Sequence, residues 1–306
     1  MSRIKEFFSN MRTDTKSAVL SYTGSYVGDE TNNATQAADN KWQIKREYIL
    51  GTETITTYAN DGSFDQVWDD RETIFPAVPF PNTISLNKDG VDEYIDFGDN
   101  YTFGPATAFS YSFWIKPQNV AAQRCLISKA SQDANVYGYG FYHDNTGKIY
   151  IQVRAAGTLR AHTFSTVLSA AVWSNVVITY NGGSDMDGFK VYINGTLDAS
   201  TPSTASLAAW VVTEPLKLGR RSTSFHFSGK MNNVSVWDKE LTQTDVDDIY
   251  NGGTPDDLDN HGSKLSRLSW WKLNSDANFP TEVDQVGNID GTLVNMEQSD
   301  YVVDAP

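Results

Sequence analysis

The 306-residue sequence holds a single cysteine, Cys125. One thiol excludes an intramolecular disulfide framework and a cysteine-rich metal site. Basic residues are also scarce: 24 Lys and Arg stand against 38 Asp and Glu, a formal net charge of −14. A nucleic-acid binder needs a basic face to neutralise phosphates, so that class is set aside. No apolar run approaches the ~18–20 residues of a membrane span, which argues against helical insertion into a membrane. Residues 1–20 lack the apolar stretch and small-residue cleavage site of an export signal, so export through a cleavable leader is not expected. What remains, 40 % hydrophobic and 20 % charged residues, is a globular rather than a disordered composition.

The N-terminal quarter differs in texture from the rest. Ile4, Phe7, Phe8 and Met11 recur at the spacing of one helical face and predict a short helix that needs a partner surface. Residues 21–40 are rich in Gly, Asn, Thr and Asp, so residues 1–40 read as an N-terminal arm. From Trp42 the apolar positions alternate (Trp42, Ile44, Tyr48, Leu50), ETITTYA (53–59) follows, and Asn60-Asp61-Gly62 marks a turn. Residues 41–80 therefore predict a small β-module, closed by Pro76 and Pro79, with too sparse a core to stand without a neighbour.

Residues 81–306 read almost wholly as strands. Phe109, Tyr111, Phe113 and Ile115 alternate with Ser110, Ser112, Trp114 and Lys116. Ile149, Ile151 and Val153 form a second set, Val176, Ile178 and Tyr180 a third, and Phe189, Val191 and Ile193 a fourth before Asn194-Gly195. One apolar face at period two in each set predicts antiparallel sheets sharing a core, an all-β two-sheet sandwich or jelly roll. One helix interrupts the pattern. Thr242 followed by Asp245 is a variant capping box, Val246, Ile249 and Tyr250 make a buried stripe, and Gly252-Gly253 supplies the stop. Trp114, Trp173 and Trp237 are candidate core anchors.

The order of motifs is itself informative. YIDFG (94–98), FSYSFWIKP (109–117), LISKA (126–130), WSNVVITYNGG (173–183), VYING (191–195), LKLGRR (216–221) and FSGKMNNVSVWDKELTQTDV (227–246) resemble, in sequence order, the laminin-G-like, concanavalin-A-like jelly-roll family. LSWWKLNSD (268–276) and DQVGNIDGTLVNM (284–296) look like that family's opening strand segment, here placed after the helix. Where terminal strands lie side by side, such a transfer preserves the fold. Combined with the 41–71 module, the arrangement resembles virion structural proteins of tailed phages. That resemblance implies a virion location, assembly with other virion proteins, a homo-oligomer, and adhesion to host-surface glycans or proteins.

The superfamily includes glycoside hydrolases, whose β-glucanase branch carries an E-x-D-x-x-E strand. Here Glu282-Val283-Asp284 begins that pattern and Gly287 breaks it. His143, His162, His226 and His261 are dispersed without metal-ligand spacing, and no G-x-S-x-G elbow or phosphate loop occurs. No catalytic residue and no cofactor are therefore assigned. Calcium is the one ion the resemblance makes room for, since laminin-G-like relatives often hold one at a sandwich rim. The acidic loops that could serve are incomplete: Asn288-x-Asp290-Gly291 with Glu297 has Val286 at its first position, Asp185-x-Asp187-Gly188 is short, and Asp256, Asp257 and Asp259 follow the helix. For glycan stacking, Tyr137, Tyr139, Tyr142, Trp210, Phe225 and His226 are the candidates. The expectation is a non-enzymatic binding protein. Its alternatives are a glycan-degrading enzyme with carboxylates drawn from distant segments, and a cellular carbohydrate-binding protein.

Overall fold

The computed structural model describes residues 83–130, 138–155, 157–210, 214–274, 278–287 and 289–306 with their side chains, preceded by four backbone strands. The four are β1 (Met11–Thr15), β2 (Leu20–Tyr26), β3 (Trp42–Leu50) and β4 (Glu53–Tyr58), paired antiparallel in that order. Met11, expected to end a helical stripe, opens β1 instead, while Ile4, Phe7 and Phe8 lie outside the described residues. In the stretch expected to be arm, β2 pairs with β3 from Tyr26↔Trp42 to Leu20↔Tyr48. The division expected near residue 40 thus falls inside a sheet. Leu20, Tyr22, Thr23 and Tyr26 are good strand formers, and a ladder meets the backbone donors that a polar sequence otherwise leaves to water. The chain divides into two compact units, Met1–Pro81 and Asn82–Pro306.

The second unit contributes β5 (Ile84–Asp89), β6 (Tyr94–Asp96), β7 (Phe109–Pro117), β8 (Arg124–Ala130), β9 (Gly138–His143) and β10 (Lys148–Ala155). It continues with β11 (Thr158–Val167), β12 (Ser174–Tyr180), β13 (Phe189–Ile193), β14 (Thr196–Leu197), β15 (Lys217–Leu218) and β16 (Ser228–Trp237). After helix α1 (Gln243–Tyr250) come β17 (Arg267–Trp271), β18 (Thr281–Glu282), β19 (Gly291–Val294) and β20 (Tyr301–Val303). One sheet runs β11-β10-β9-β8-β15-β6-β19-β18. The other runs β14-β13-β12-β7-β16-β5-β20, with β17 also on β16. This is the two-sheet antiparallel jelly-roll sandwich that the alternation predicts.

Between the sheets lies one apolar core. Phe109, Tyr111, Phe113 and Ile115 of β7 meet Tyr139 and Phe141 of β9 and Ile149, Ile151 and Val153 of β10. The Tyr111 hydroxyl donates to that of Tyr139 at 2.7 Å and the Tyr139 hydroxyl to Tyr101 O at 3.0 Å, so both polar tips are carried into the core without an unmet donor. The Asn194-Gly195 hairpin turn takes φ of 50° and 77°, the double left-handed conformation of a tight turn matching strand twist.

The sheet built around β7 and β16 is buried on both faces, beyond what one-sided alternation predicts. Its outer face lies under α1 and the chain that follows. Trp114 stacks on Tyr250 at 5.9 Å, Trp237 meets His261 at 5.0 Å, and the Ser110 hydroxyl donates to Lys239 O. Trp114 and Trp237 are therefore buried anchors of this covering layer, not of the inter-sheet core. Trp173 is only half-buried and donates its indole N–H to Asp304. The helix start matches expectation, with the Thr242–Asp245 box closed in both directions, and at the stop Asn251 (φ 45°) joins Gly252 (φ 64°) and Gly253 (φ 104°) at positive φ.

The tail supplies both sheets. Trp271 pairs with Val234 of β16, Leu293 of β19 with Ile95 of β6, and Val302 of β20 with Ser85 of β5. Trp271 and Leu273 are fully buried core members. Trp271 lies 4.0 Å from Phe97 and donates its indole N–H to Ile289 O at 2.8 Å. At β16 the register shifts between Asn232 and Ser235, with Asn233 at φ 51°. Asn232 donates to Ile84 O and Asn233 N to Lys272 O, which seals the gap between β5 and β17. Trp271→Ala should cost about 3–5 kcal/mol, read as a lowered urea midpoint by circular dichroism. Leu265→Ala, at a side chain 97 % exposed, should stay within about 0.5 kcal/mol of the parent.

Candidate functional site

With one sheet covered, the outer face of the β11-to-β18 sheet is the surface its own side chains define. Register places Thr292, Asp96, Lys217, Ser128, Gly140, Gln152 and Ala161 in a single cross-strand row on it. A second row joins Ala130, Gly138 and Arg154, and a third joins Tyr142 and Tyr150. Small residues (Ser128, Ala130, Gly138, Gly140) thus occupy the middle strands, and larger ones flank them. A Cβ at Gly140 would lie 2.5 Å from the Tyr142 hydroxyl, so glycine there lets the Tyr142 ring lie flat across the strand.

The loop from Gly219 to Phe227 forms a wall beside this trough. It is tied to the sheet by Gly219 N to Leu126 O (2.7 Å) and Cys125 N to Phe225 O (2.7 Å). Two successive arginines on the loop each lie over an aromatic ring: Arg220 over Tyr94 at 4.1 Å and Arg221 over Phe225 at 5.3 Å. Such stacking fixes the guanidinium planes while leaving N–H edges for other partners. Arg221 donates to Gln152 Oε1 at 3.0 Å, and its Nε is buried with no hydrogen-bond partner among the described residues. Burial pushes the Tyr150 phenol up, opposed by the nearby Arg221 and Arg154 charges, which places both guanidinia around one hydroxyl. Tyr94, Tyr150 and Phe225 are half-buried. Together these groups offer apolar ring surface beside amide and guanidinium donors, the chemistry that takes a polyol.

The residues singled out from sequence divide differently. Tyr139 and Trp210 are inter-sheet core. Tyr142 sits on the outer face but is covered by the loop, with Phe225 at 6.0 Å. Phe225 borders the trough, His226 is half-buried on the same loop, and Tyr137 and Asn288 lie outside the described residues. Tyr94, Tyr150, Gln152, Arg154, Arg220 and Arg221 were not singled out. The Arg-Arg pair after LKLG was the signal available, but which aromatics it covers depends on cross-strand register. Cys125 is buried, its thiol pushed up to about 12 by desolvation. Among the described residues no three His, Cys, Asp or Glu side chains converge as a metal site. Asp259 pairs with Arg267, Asp290 accepts from Asp284 N, and Glu297 and Asp300 cap each other's backbone.

Glu282 and Asp284 are buried hydrogen-bond acceptors. Asp284 takes Trp270 N (2.9 Å), Val286 N (3.0 Å) and the Ser269 hydroxyl, which locks the strand bearing Trp271. Glu282 takes Leu273 N at 3.0 Å and the Tyr301 hydroxyl at 2.7 Å, joining β17 to β20. Burial pushes the Glu282 carboxyl up to about 7 and the buried Lys88 ammonium down to about 8. A carboxyl whose folded pKa is raised favours the fold most when it is neutral. Its contribution is complete below the ordinary carboxylate range and is lost as pH climbs through about 7. Thermal melting should therefore occur at lower temperature at pH 8 than at pH 5. Glu282→Gln, which keeps both hydrogen bonds, should flatten that fall and melt above the parent at pH 8.

Comparison with known proteins places this geometry. Residues 89–247 match the laminin-G model described as the concanavalin A-like lectin/glucanases superfamily. Among solved structures, a putative carbohydrate binding protein from Bacteroides ovatus aligns with a TM-score of 0.51 at 15% identity, over 95% of this chain and 78% of its own. A SAP-like pentraxin from Limulus polyphemus aligns with a TM-score of 0.44 at 17% identity, over 69% of this chain and 95% of its own. No curated protein matches the sequence. With a family match spanning more than half of its length and the two-sheet sandwich to go with it, the chain belongs to the concanavalin A-like lectin/glucanases superfamily.

Proposed function

We propose that this protein is a non-enzymatic glycan-binding component of a phage virion, with the Asn82–Pro306 unit as binder and the Met1–Pro81 unit as anchor to other virion proteins. The observation that carries the binding role is the outer-sheet trough, where Tyr94, Tyr150 and Phe225 border Gln152, Arg154, Arg220 and Arg221. Aromatic faces stack on the C–H surfaces of sugar rings, while amide and guanidinium N–H groups donate to hydroxyl oxygens. Support for the non-enzymatic role comes from Glu282 and Asp284, whose carboxylates are spent on backbone and hydroxyl partners inside the fold. The anchoring role draws on the separate four-stranded sheet before residue 82 and on the phage-like order of its motifs.

Two outcomes test the two halves. Tyr94→Ala and Tyr150→Ala should each weaken retention on host-surface polysaccharide about tenfold, for the loss of one stacking contact of about 1–1.5 kcal/mol, without a change in the circular dichroism spectrum. Retention unaffected by both would remove the trough as the site. A chain restricted to residues 82–306 should keep polysaccharide binding and be missing from purified particles in mass spectrometry, where the full chain should be found.

A further inference from the structure

We propose that Arg220 and Arg221 make the trough selective for acidic polysaccharide, each guanidinium fork receiving a carboxylate of the polymer, Arg220 beside Tyr94 and Arg221 beside Gln152. This rests on the glycan-binding role above and narrows its substrate class. The protein carries a net charge of −14, yet Arg154 of β10, Lys217 of β15 and the loop residues Arg220 and Arg221 lie on or beside one face of the same sheet. Among the described residues no carboxylate lies within ion-pair distance of Arg220 or Arg221, whereas Lys116, Lys129, Lys190, Lys230, Lys239 and Arg267 all have acidic partners. The acid in the same row, Asp96, is turned to its own backbone, accepting Gly98 N at 2.8 Å.

Leaving guanidinium groups unpaired beside half-buried aromatics is costly unless something else meets them. Arg220 spends its Nε on Ser222 O, and Arg221 spends one N–H on Gln152. Each lies over a ring that restrains its plane, Tyr94 or Phe225, so the remaining N–H groups are held in the planar fork that matches a carboxylate bidentately. An ammonium in the same place would supply charge without the fork. A neutral sugar would meet the arginines through hydroxyl oxygens alone, without the charge or the bidentate match.

The test uses the full-length protein and immobilised polygalacturonate, hyaluronate, alginate and polysialic acid, each beside its carboxyl-reduced counterpart. Binding to at least one acidic polymer should exceed binding to its reduced partner by about tenfold or more. Arg220→Lys with Arg221→Lys should abolish that difference by lowering binding to the acidic polymer about tenfold or more, while the circular dichroism spectrum stays that of the parent. Equal, Tyr94-dependent binding to acidic and reduced polymers would overturn the acidic preference and keep the glycan-binding role. Acidic selectivity that survives both lysine substitutions would overturn the assignment to these forks. Retention on none of the polymers, charged or reduced, would overturn the glycan-binding role and this selectivity with it.

Discussion

The sandwich hangs on the double occupancy of one edge of β16. Its first half pairs with β5 and its second half with β17, two segments from opposite ends of the unit, while its other edge is taken by β7 along most of its length. A straight strand could not hand over from one partner to the other without leaving backbone groups unmet. The register shift at Asn232–Ser235, with Asn233 in the left-handed region, makes the handover, and asparagine is among the few side chains that adopt that conformation at low cost. The amides of both asparagines then bind the ends of the two partners: Asn232 holds Ile84 O, and Asn233 Oδ1 accepts the Trp270 indole.

From that junction the asymmetry of the two faces follows. The β16 sheet carries α1 and the segment up to β17 across its outside, so polar side chains there are buried: Ser112 and Ser235 bond each other at 2.6 Å, and Ser110 donates to Lys239 O. Among the described residues, the Gly219–Phe227 loop lies over part of the outside of the opposite sheet. Its small-residue centre at Ser128, Gly138 and Gly140 is buried beneath Tyr142 and that loop, and Tyr94, Tyr150, Gln152 and Arg154 around it stay half-buried.

Much of this was legible from local pattern. Alternation located β7, β10, β12 and β13, Asn194-Gly195 located a hairpin turn, and Thr242–Asp245 located the helix start, because each depends on neighbours in sequence. What was not legible depends on who lies opposite. Trp114 and Trp237 alternate as they should, but only the covering layer decides that their face is dry. Tyr142 sits on an outward position and is nevertheless sealed by Phe225, which arrives from a loop more than eighty residues later. The strands at Met11–Thr15 and Leu20–Tyr26 escaped notice because their polar, glycine-containing sequences resemble linker until a partner ladder is supplied. The arginine pair was visible as letters, but its meaning came from the rings beneath it.

The late arrival of β17 to β20 bears on how the protein is made. Trp271, Leu293 and Val302 each complete a pairing with a strand that emerged from the ribosome earlier, in the case of β5 more than two hundred residues earlier. Until those segments are synthesised, one edge of β6 and one of β5 stand open and the floor of the core lacks its indole. Nascent chains halted before residue 267 must wait as incomplete sheets with exposed edges, a state prone to pairing with a neighbour on the same polysome. Translation speed through residues 267–306 thereby sets how long that hazard lasts.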